Sequence, residues 1–381
     1  MRWRCAGALG AAVLWCAAVD ARAAEWSGDA TVFVRQEYND NILMTPAAHE
    51  AVLGTTASGA LALRRAMEQF QLNLTGLTEL THYVSHQHLD TTNYNAALDS
   101  TYTAGRATWG LDASATQDLT LGGELQETGI VLTRTRRQMW SAAPSWSWAL
   151  TERTTLQWQY QFTRVHYPGV PGVTDYLTHV GIADVIDAVT ERTTLTAKAQ
   201  FTDYDAAALR YQSQDGSLQV GVTHHLSERT TASLFGGADL TLSRAVAVQD
   251  LQSGWVLNAS LEHRSERFRL SGSASHDIHP SGAGYLVQVD HLAVQASREL
   301  LWNVTALASG DLYRTTALRN DIAIPDNHYQ TVSAGLSWAW REHWTVEANY
   351  RYAKQSQPTD VASNAVDWKV AYHRDTLFGS P

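Results

Sequence analysis

The segment LTERTTLQWQYQF, residues 150–162, decides the fold of this chain. It opens with a charged Thr-Glu-Arg-Thr turn and continues as a run in which apolar or aromatic residues alternate with glutamines. Since successive residues of a strand point to opposite faces, the run predicts a β-strand with one apolar and one amide-rich face. The apolar face consists of Leu156, Trp158, Tyr160 and Phe162, and the amide face of Gln157, Gln159 and Gln161.

Related phrases return as VTERTTLTAKAQF, residues 189–201, and LSERTTASLFGG, residues 226–237. Short charged turns recur along the chain, at residues 64–65, 106, 152–153, 191–192, 228–229, 266–267, 298–299 and 342–343. The interval between two turns holds two strands and one longer connection, so the hairpin is the repeating unit. The longer connections are predicted at residues 40–50, 84–90, 121–135, 167–175, 205–211, 244–250, 276–284, 317–328 and 355–362. The number of these turns and connections predicts about eighteen strands, with about sixteen as an alternative.

The alternating runs are ~10–16 residues long, whereas strands of soluble proteins average ~5–6 residues. The longer runs match strands that cross a membrane at a tilt. In hydrocarbon every backbone polar group must be paired within the protein, so strands can span only as a closed barrel. We therefore predict an all-β, transmembrane, antiparallel up-and-down barrel with short periplasmic turns and longer extracellular loops. Pro144 lies inside an expected strand, where it predicts a bulge.

The first 23 residues have the features of a secretory signal peptide. Arg2 and Arg4 precede an apolar stretch at residues 5–19, and Ala21-Arg22-Ala23 supplies a cleavage signal. We predict a signal peptide at 1–23 and an outer-membrane barrel of a Gram-negative bacterium at 24–381, inserted with the barrel-assembly machinery. Both cysteines, Cys5 and Cys16, lie in the signal, which excludes disulfides and cysteine metal sites from the mature chain.

The aromatic composition favours a membrane boundary. The chain has 14 Trp and 15 Tyr against 7 Phe, and the first two carry a polar group suited to the interface between lipid and water. The predicted lipid-facing and girdle residues are Trp158, Tyr160, Trp255, Trp338, Trp340 and Trp344. Tyr167 and Tyr176, which flank a long connection, are predicted to belong to the same girdles.

The opposite faces of the strands predict the lining of a wet lumen. The candidate lining residues are Gln157, Gln159, Gln161, Lys198, Gln200, Arg267, Arg269, Glu347, Asn349 and Arg351. The interior of an eighteen-stranded barrel is too wide for side chains alone to fill, so it is either an aqueous channel or is plugged by an inward loop. On length, residues 121–135 are the best candidate for such a loop.

Several function classes find no support in the sequence. A net charge of −10 without basic blocks argues against nucleic-acid binding. The chain has no G-x-S-x-G or H-E-x-x-H motif, so we predict no enzyme activity and no cofactor. Two groups of histidines could supply imidazole ligands to a metal ion. One group is His82, His86 and His88, and the other is His276 and His279. We predict that these histidines are solvated and form no metal site.

The repeated SERTT and TERTT turns, with EYNDNILMTP at residues 37–46, resemble the β-barrel porin 2 family and its relatives encoded with exopolysaccharide systems. The resemblance runs from about Glu37 to Tyr372 and rests on architectural motifs. It implies an outer-membrane channel, with participation in polysaccharide export and periplasmic export components as partners, and it supplies no catalytic residues. A general diffusion channel, a structural or adhesive barrel with a plugged lumen, and an outer-membrane enzyme stay open as alternatives.

Overall fold

The computed structural model describes residues 25–374, apart from residues 47–48, 50, 131, 170, 246–247, 301–302, 319–325 and 358. The predicted signal peptide, residues 1–23, lies outside the described residues. Within them, no helix is both long and apolar enough to cross a membrane.

The described residues form eighteen strands of 13–17 residues. They are β1 (Glu25–Asn39), β2 (Val52–Ala66), β3 (Phe70–Tyr83), β4 (Thr91–Ala104), β5 (Ala107–Leu119), β6 (Arg136–Ala149), β7 (Thr154–His166), β8 (Tyr176–Thr190), β9 (Thr193–Ala206), β10 (Tyr211–Ser227), β11 (Thr230–Ala245), β12 (Val248–Arg264), β13 (Phe268–Pro280), β14 (Leu286–Glu299), β15 (Val304–Ala317), β16 (Asn327–Arg341), β17 (Trp344–Gln357) and β18 (Val361–Arg374). A short helix, α1 (Gly123–Thr128), lies between β5 and β6, and two 3₁₀ turns span Gln87–Leu89 and Ala207–Leu209.

Each strand pairs antiparallel with the next, and β1 pairs with β18 from Ala30 opposite Arg374 to Asn39 opposite Ala365. This last pairing closes the sheet, so no strand edge is left open. The predicted closed, eighteen-stranded, antiparallel barrel is confirmed.

Three of the predicted long connections are shorter than the sequence suggested. Strand β9 continues to Ala206, β11 and β12 are separated only by residues 246–247, and β13 continues to Pro280. The pairing is regular there, with Ser243 opposite Asp250. At this end of the barrel both faces of the strands carry polar residues. The alternation of apolar and polar residues is therefore lost in the sequence, although the backbone hydrogen bonds between the strands continue.

The predicted bulge at Pro144 is wrong. Ala142 pairs with Phe162 and Ser145 with Gln159, so the register between β6 and β7 is the same on both sides of the proline. Pro144 itself pairs with Leu111 of β5. Proline has no backbone N–H, so the hydrogen-bond ladder toward β7 is interrupted locally at Pro144. No extra residue is inserted into β6, so there is no bulge.

The outer surface of the barrel is an apolar belt. Residues paired directly across an antiparallel ladder point to the same face of the sheet. The inner or outer face assigned on one strand can therefore be followed from strand to strand around the ring. Leu218 is 71% exposed and Val220 is 70% exposed, whereas the alternate residues Ser217 and Gln219 are buried on the inside. Large apolar side chains on the outside, with polar ones on the inside, are the arrangement required of a barrel whose outer solvent is lipid.

Replacing Phe201 with Arg is expected to destabilise the membrane-inserted barrel. Phe201 is 52% exposed near the middle of β9, and an outward guanidinium near the bilayer midplane costs about 2–4 kcal/mol. Its inward neighbour provides the control, because Gln200→Arg places the same charge in the lumen, where we expect a cost below about 1 kcal/mol. Urea unfolding in lipid vesicles measures both values. Equal losses in the two variants would contradict the assignment of faces.

Candidate functional site: the lumen and its inward loop

The register places nine of the ten candidate lining residues on the inward face. Gln157 pairs with Asp184 and Asp184 with Lys198, which puts these three on one face across β7, β8 and β9. The same reasoning places Gln159, Gln161, Gln200, Arg269, Glu347, Asn349 and Arg351 inside.

The tenth candidate, Arg267, is corrected by the structure. It lies exposed in the turn at residues 265–267, where its carbonyl accepts a hydrogen bond of 2.8 Å from the Glu299 N–H. The turn closes through Ser265 N–H to the Phe268 carbonyl at 2.8 Å, so β13 begins one residue after Arg267.

The five candidate girdle tryptophans lie on the outer face and are 40–54% exposed: Trp158, Trp255, Trp338, Trp340 and Trp344. Tyr160 also faces outward, and its hydroxyl lies 2.5 Å from His179 Nδ1. The girdle prediction is wrong for Tyr167 and Tyr176, which are 4% and 5% exposed. Tyr176 pairs with inward Val165, and Tyr167 follows the same alternation, so both rings turn into the lumen.

The connection between β5 and β6 folds into the barrel, as predicted for residues 121–135. Helix α1 on this loop accepts hydrogen bonds from the far wall. Tyr313 Oη on β15 donates to the Gln126 carbonyl at 2.8 Å, and Thr315 Oγ1 donates to the Thr128 carbonyl. Because β5 and β15 lie on opposite sides of the ring, the loop crosses the lumen. We call residues 120–135 the inward loop.

Helix α1 ends at a glycine for steric reasons. Gly129 has φ +68°, in the left-handed region, and its N–H donates to the Leu125 carbonyl at 2.8 Å. A Cβ at this position would collide with the Tyr313 side chain. Asn327 Nδ2 on β16 donates to the Gly129 carbonyl, so the end of the helix is held directly against the opposite wall.

Glu124 ties the inward loop to the loop at residues 281–285. Its side chain is fully buried and accepts hydrogen bonds from Tyr167 Oη, from the Gly282 N–H at 2.5 Å and from Ser281 Oγ at 3.3 Å. Burial raises the pKa of the Glu124 carboxyl above its ordinary value, whereas the bonds from Tyr167 and Gly282 oppose that shift.

Arg137 fixes the second end of the loop. Its guanidinium is 2% exposed and forms two bonds to Asp118, Nε to Oδ1 at 3.0 Å and Nη2 to Oδ2 at 2.9 Å. Nη1 donates to Glu127 Oε2 on α1 at 2.8 Å. One buried cation therefore joins β5, β6 and the helix, and the fork of the guanidinium matches the planar carboxylate.

At the level of the inward loop, the half of the lumen next to β7–β10 is filled. Tyr167, Tyr176, Tyr204 and Tyr211 form a continuous inward row, with successive ring centroids 6.5, 5.3 and 6.0 Å apart. Tyr204 is fully buried, and its hydroxyl donates to the Ser281 carbonyl at 2.9 Å. The row, Glu124 of the inward loop and the loop at residues 281–285 are joined by hydrogen bonds on this side of the lumen. On the opposite side, Leu125 of the inward loop packs in a buried apolar cluster with Val287, Tyr313 and Tyr329.

Two cavities lie along the inner wall: the upper one touches β1, β3–β5 and β14–β18, and the lower one touches β12–β17. The upper cavity, about 600 Å³, lies between the inward loop and the wall that includes Glu37 and Arg351. The lower cavity, about 630 Å³, reaches Arg269 at the short-turn end. The two cavities share Gln295, Ser309 and Ser333. The two cavities therefore adjoin at these polar residues, one beside the inward loop and the other toward the short-turn side.

The histidine groups considered from the sequence are engaged in local contacts. His82 Nδ1 lies 2.8 Å from Asp90 Oδ2, and His276 stacks on Trp255 with ring centroids 3.7 Å apart. Among the described residues, no group of three or more His, Cys, Asp or Glu is placed to hold a metal ion.

No protein-family model matches the chain, and no curated protein matches it. Among solved structures it is similar to OccK2 (OpdF) of Pseudomonas aeruginosa, with a TM-score of 0.52, 10% identity and coverage of 92% of this chain and 98% of that one. The complex of OccK2 with glucuronate matches with a TM-score of 0.51 and 9% identity, over 92% and 98%. OccAB2 of Acinetobacter baumannii matches with a TM-score of 0.50 and 10% identity over the same shares.

At this level of identity the likeness concerns the fold. It supports the β-barrel architecture that the resemblance drawn from the sequence implies. The exopolysaccharide association receives no support from it and stays a prediction.

The buried carboxyl of Glu124 predicts a pH dependence of loop docking. Its raised pKa means that the docked loop binds the proton more tightly than the released loop. The contribution of the protonated Glu124 carboxyl to loop docking is therefore complete below the ordinary pKa of about 4.3. It is lost as the pH rises through the pKa that Glu124 has in the docked loop. A spin label at exposed Gln126, introduced as Gln126→Cys, is expected to gain mobility over that rise. In the double variant with Glu124→Gln the mobility should stay constant, and an unchanged pH dependence there would assign it to another group.

Proposed function

We propose that this protein is an outer-membrane channel through which small hydrophilic solutes diffuse past the inward loop. The observation that carries the proposal is the pair of cavities that share Gln295, Ser309 and Ser333, one beside the inward loop and one reaching the short-turn end. A closed barrel with an apolar outer belt and a polar interior supports the membrane location, and so does the likeness to porin-type barrels. The proposal assigns no reaction to the protein and needs no cofactor.

The mechanism is passive diffusion along a lining of amides, hydroxyls and paired charges. Amides and hydroxyls replace part of the hydration of a solute, and exchange of hydrogen bonds lets it move on. We propose that the chain reaches the membrane as an exported precursor, loses residues 1–23 and is inserted by the barrel-assembly machinery.

A finer form of the proposal makes the channel the exit for an exopolysaccharide, served by periplasmic export components. Its support is the sequence resemblance alone. An inward loop that is tied to both walls obstructs a polymer, so export would require the two cavities to be continuous past the loop. Deletion of the gene tests this form, since loss of surface polymer is expected and intact polymer would remove it.

The second candidate is a structural or adhesive barrel with a plugged lumen, which the row of buried tyrosines favours. Single-channel recording of the refolded mature protein in a planar bilayer separates the two candidates. A stable open current is expected for the channel. A barrel that inserts fully, as shown by its heat-modifiable mobility in gels, but carries no current would establish the plugged barrel instead.

A further inference from the structure

Each carboxylate that lines the upper cavity has a polar partner within the protein. Glu37 Oε1 lies 3.6 Å from Arg351 Nη2, and Asp118 Oδ2 lies 2.9 Å from Arg137 Nη2. The third carboxylate of the described lining, Asp311, has its Oδ1 3.1 Å from His291 Nε2.

The guanidinium of Arg134, which also belongs to this lining, has hydrogen-bond partners within the protein as well. Arg134 Nη2 donates to the Leu89 carbonyl at 2.7 Å, and the guanidinium also hydrogen-bonds the Tyr83 hydroxyl. Each charged group of the described lining therefore already has a polar partner within the protein, which limits its availability to a charged solute.

Side-chain amides face the same cavity from three directions. Asn93 extends from β4, Gln126 from α1 and Gln295 from β14. Within the described part of the chain, none of the three amide groups has a side-chain hydrogen bond. In contrast, nearby Asn39 Oδ1 accepts from Ser363 Oγ, and Asn41 Nδ2 donates to the Thr45 and Ala362 carbonyls. Each amide offers one acceptor oxygen and two donor hydrogens.

We infer that the upper cavity is a binding subsite for a neutral, polyhydroxylated solute of sugar size, an inference that rests on the proposed channel. A hydroxyl both donates and accepts, so it can pair with an amide in either sense, whereas a charged group would have to compete with the existing ion pairs for its counter-charge. A volume of about 600 Å³ falls within the range of about 300–1,000 Å³ found for small-ligand pockets.

The test is a titration of the refolded barrel in detergent, followed by saturation-transfer NMR. The probes are three trimers of similar size: maltotriose, which is neutral, a galacturonate trimer, which is acidic, and a glucosamine trimer, which is basic. Maltotriose is expected to bind about 10-fold more tightly than either charged trimer. Gln295→Leu and Asn93→Leu should each weaken maltotriose binding about 3- to 10-fold, the effect of one lost hydrogen bond.

Asn258→Leu is the matched control, because Asn258 is an inward amide on β12 that lines neither cavity. Its binding of maltotriose should equal that of the unaltered protein. No binding of maltotriose, equal or tighter binding of a charged trimer, or equal losses in all three variants would overturn the inference. Because binding is measured without a current, a barrel that binds maltotriose but does not conduct would overturn the proposed channel and leave the subsite standing.

Discussion

Removing residues 122–130 and joining the flanking residues through a Gly-Ser link is expected to raise single-channel conductance several-fold. The deleted segment contains α1, which crosses the lumen and hydrogen-bonds the opposite wall through Tyr313, Thr315 and Asn327. The wall itself is held by continuous ladders between all neighbouring strands and does not depend on the loop. Without the crossing segment, the wide interior of an eighteen-stranded barrel is limited only by its own side chains.

The measurement is a comparison of current steps in planar bilayers at fixed salt. Far-UV circular dichroism and heat-modifiable mobility in gels control for a folded barrel. An unchanged conductance in the folded deletion variant would mean that the inward loop does not set the constriction. The row of Tyr167, Tyr176, Tyr204 and Tyr211 would then be the next barrier to remove.

Replacing Arg137 with Met is expected to release the inward loop. The buried guanidinium satisfies both Asp118 and Glu127, and its removal leaves two carboxylates without their partner. Leaving a fully buried charge without its partner costs about 3–5 kcal/mol, and water offsets part of that cost here because Asp118 and Glu127 are 22% and 41% exposed. The cost applies to loop docking, so we expect a channel that flickers between two current levels and a loop that becomes sensitive to protease, while the barrel still inserts.

Arg136 provides the matched control, since it precedes Arg137, is exposed and faces outward on β6. Arg136→Met should leave both the current and the protease pattern unchanged. If Arg137→Met behaved like Arg136→Met, the buried pair would contribute nothing to docking. If both variants released the loop, the effect would arise from the local backbone.

The faces of the strands were predictable because they depend on a local rule. Alternation in the run from Leu156 to Phe162 decides which residues meet lipid and which meet the lumen, and each neighbouring strand repeats the rule. The predictions failed where that rule stops applying. Arg267 belongs to a tight turn, and Tyr167 and Tyr176 continue the inward alternation at a level where aromatic residues were expected to mark the membrane boundary.

The inward course of residues 121–135 was predictable from their length, but the groups that hold the loop were not. Glu124 lies 157 and 158 residues from Ser281 and Gly282, and Thr315 lies 187 residues from Thr128. Nothing in the local pattern around Glu124 or Arg137 distinguishes them from solvated charges. Their burial arises only when the closed ring brings distant loops together in one lumen.

The sequence by itself determined the barrel and the polarity of its two faces, because both follow from a period of two and from the needs of backbone groups in lipid. It limited the strand number to about eighteen or sixteen, and pairing of β1 with β18 fixed eighteen. The tertiary structure decided which half of the lumen is filled, where the constriction lies and which charges are paired. These depend on contacts across the ring, between residues that share no local pattern, and closure of the sheet is the event that brings them within reach.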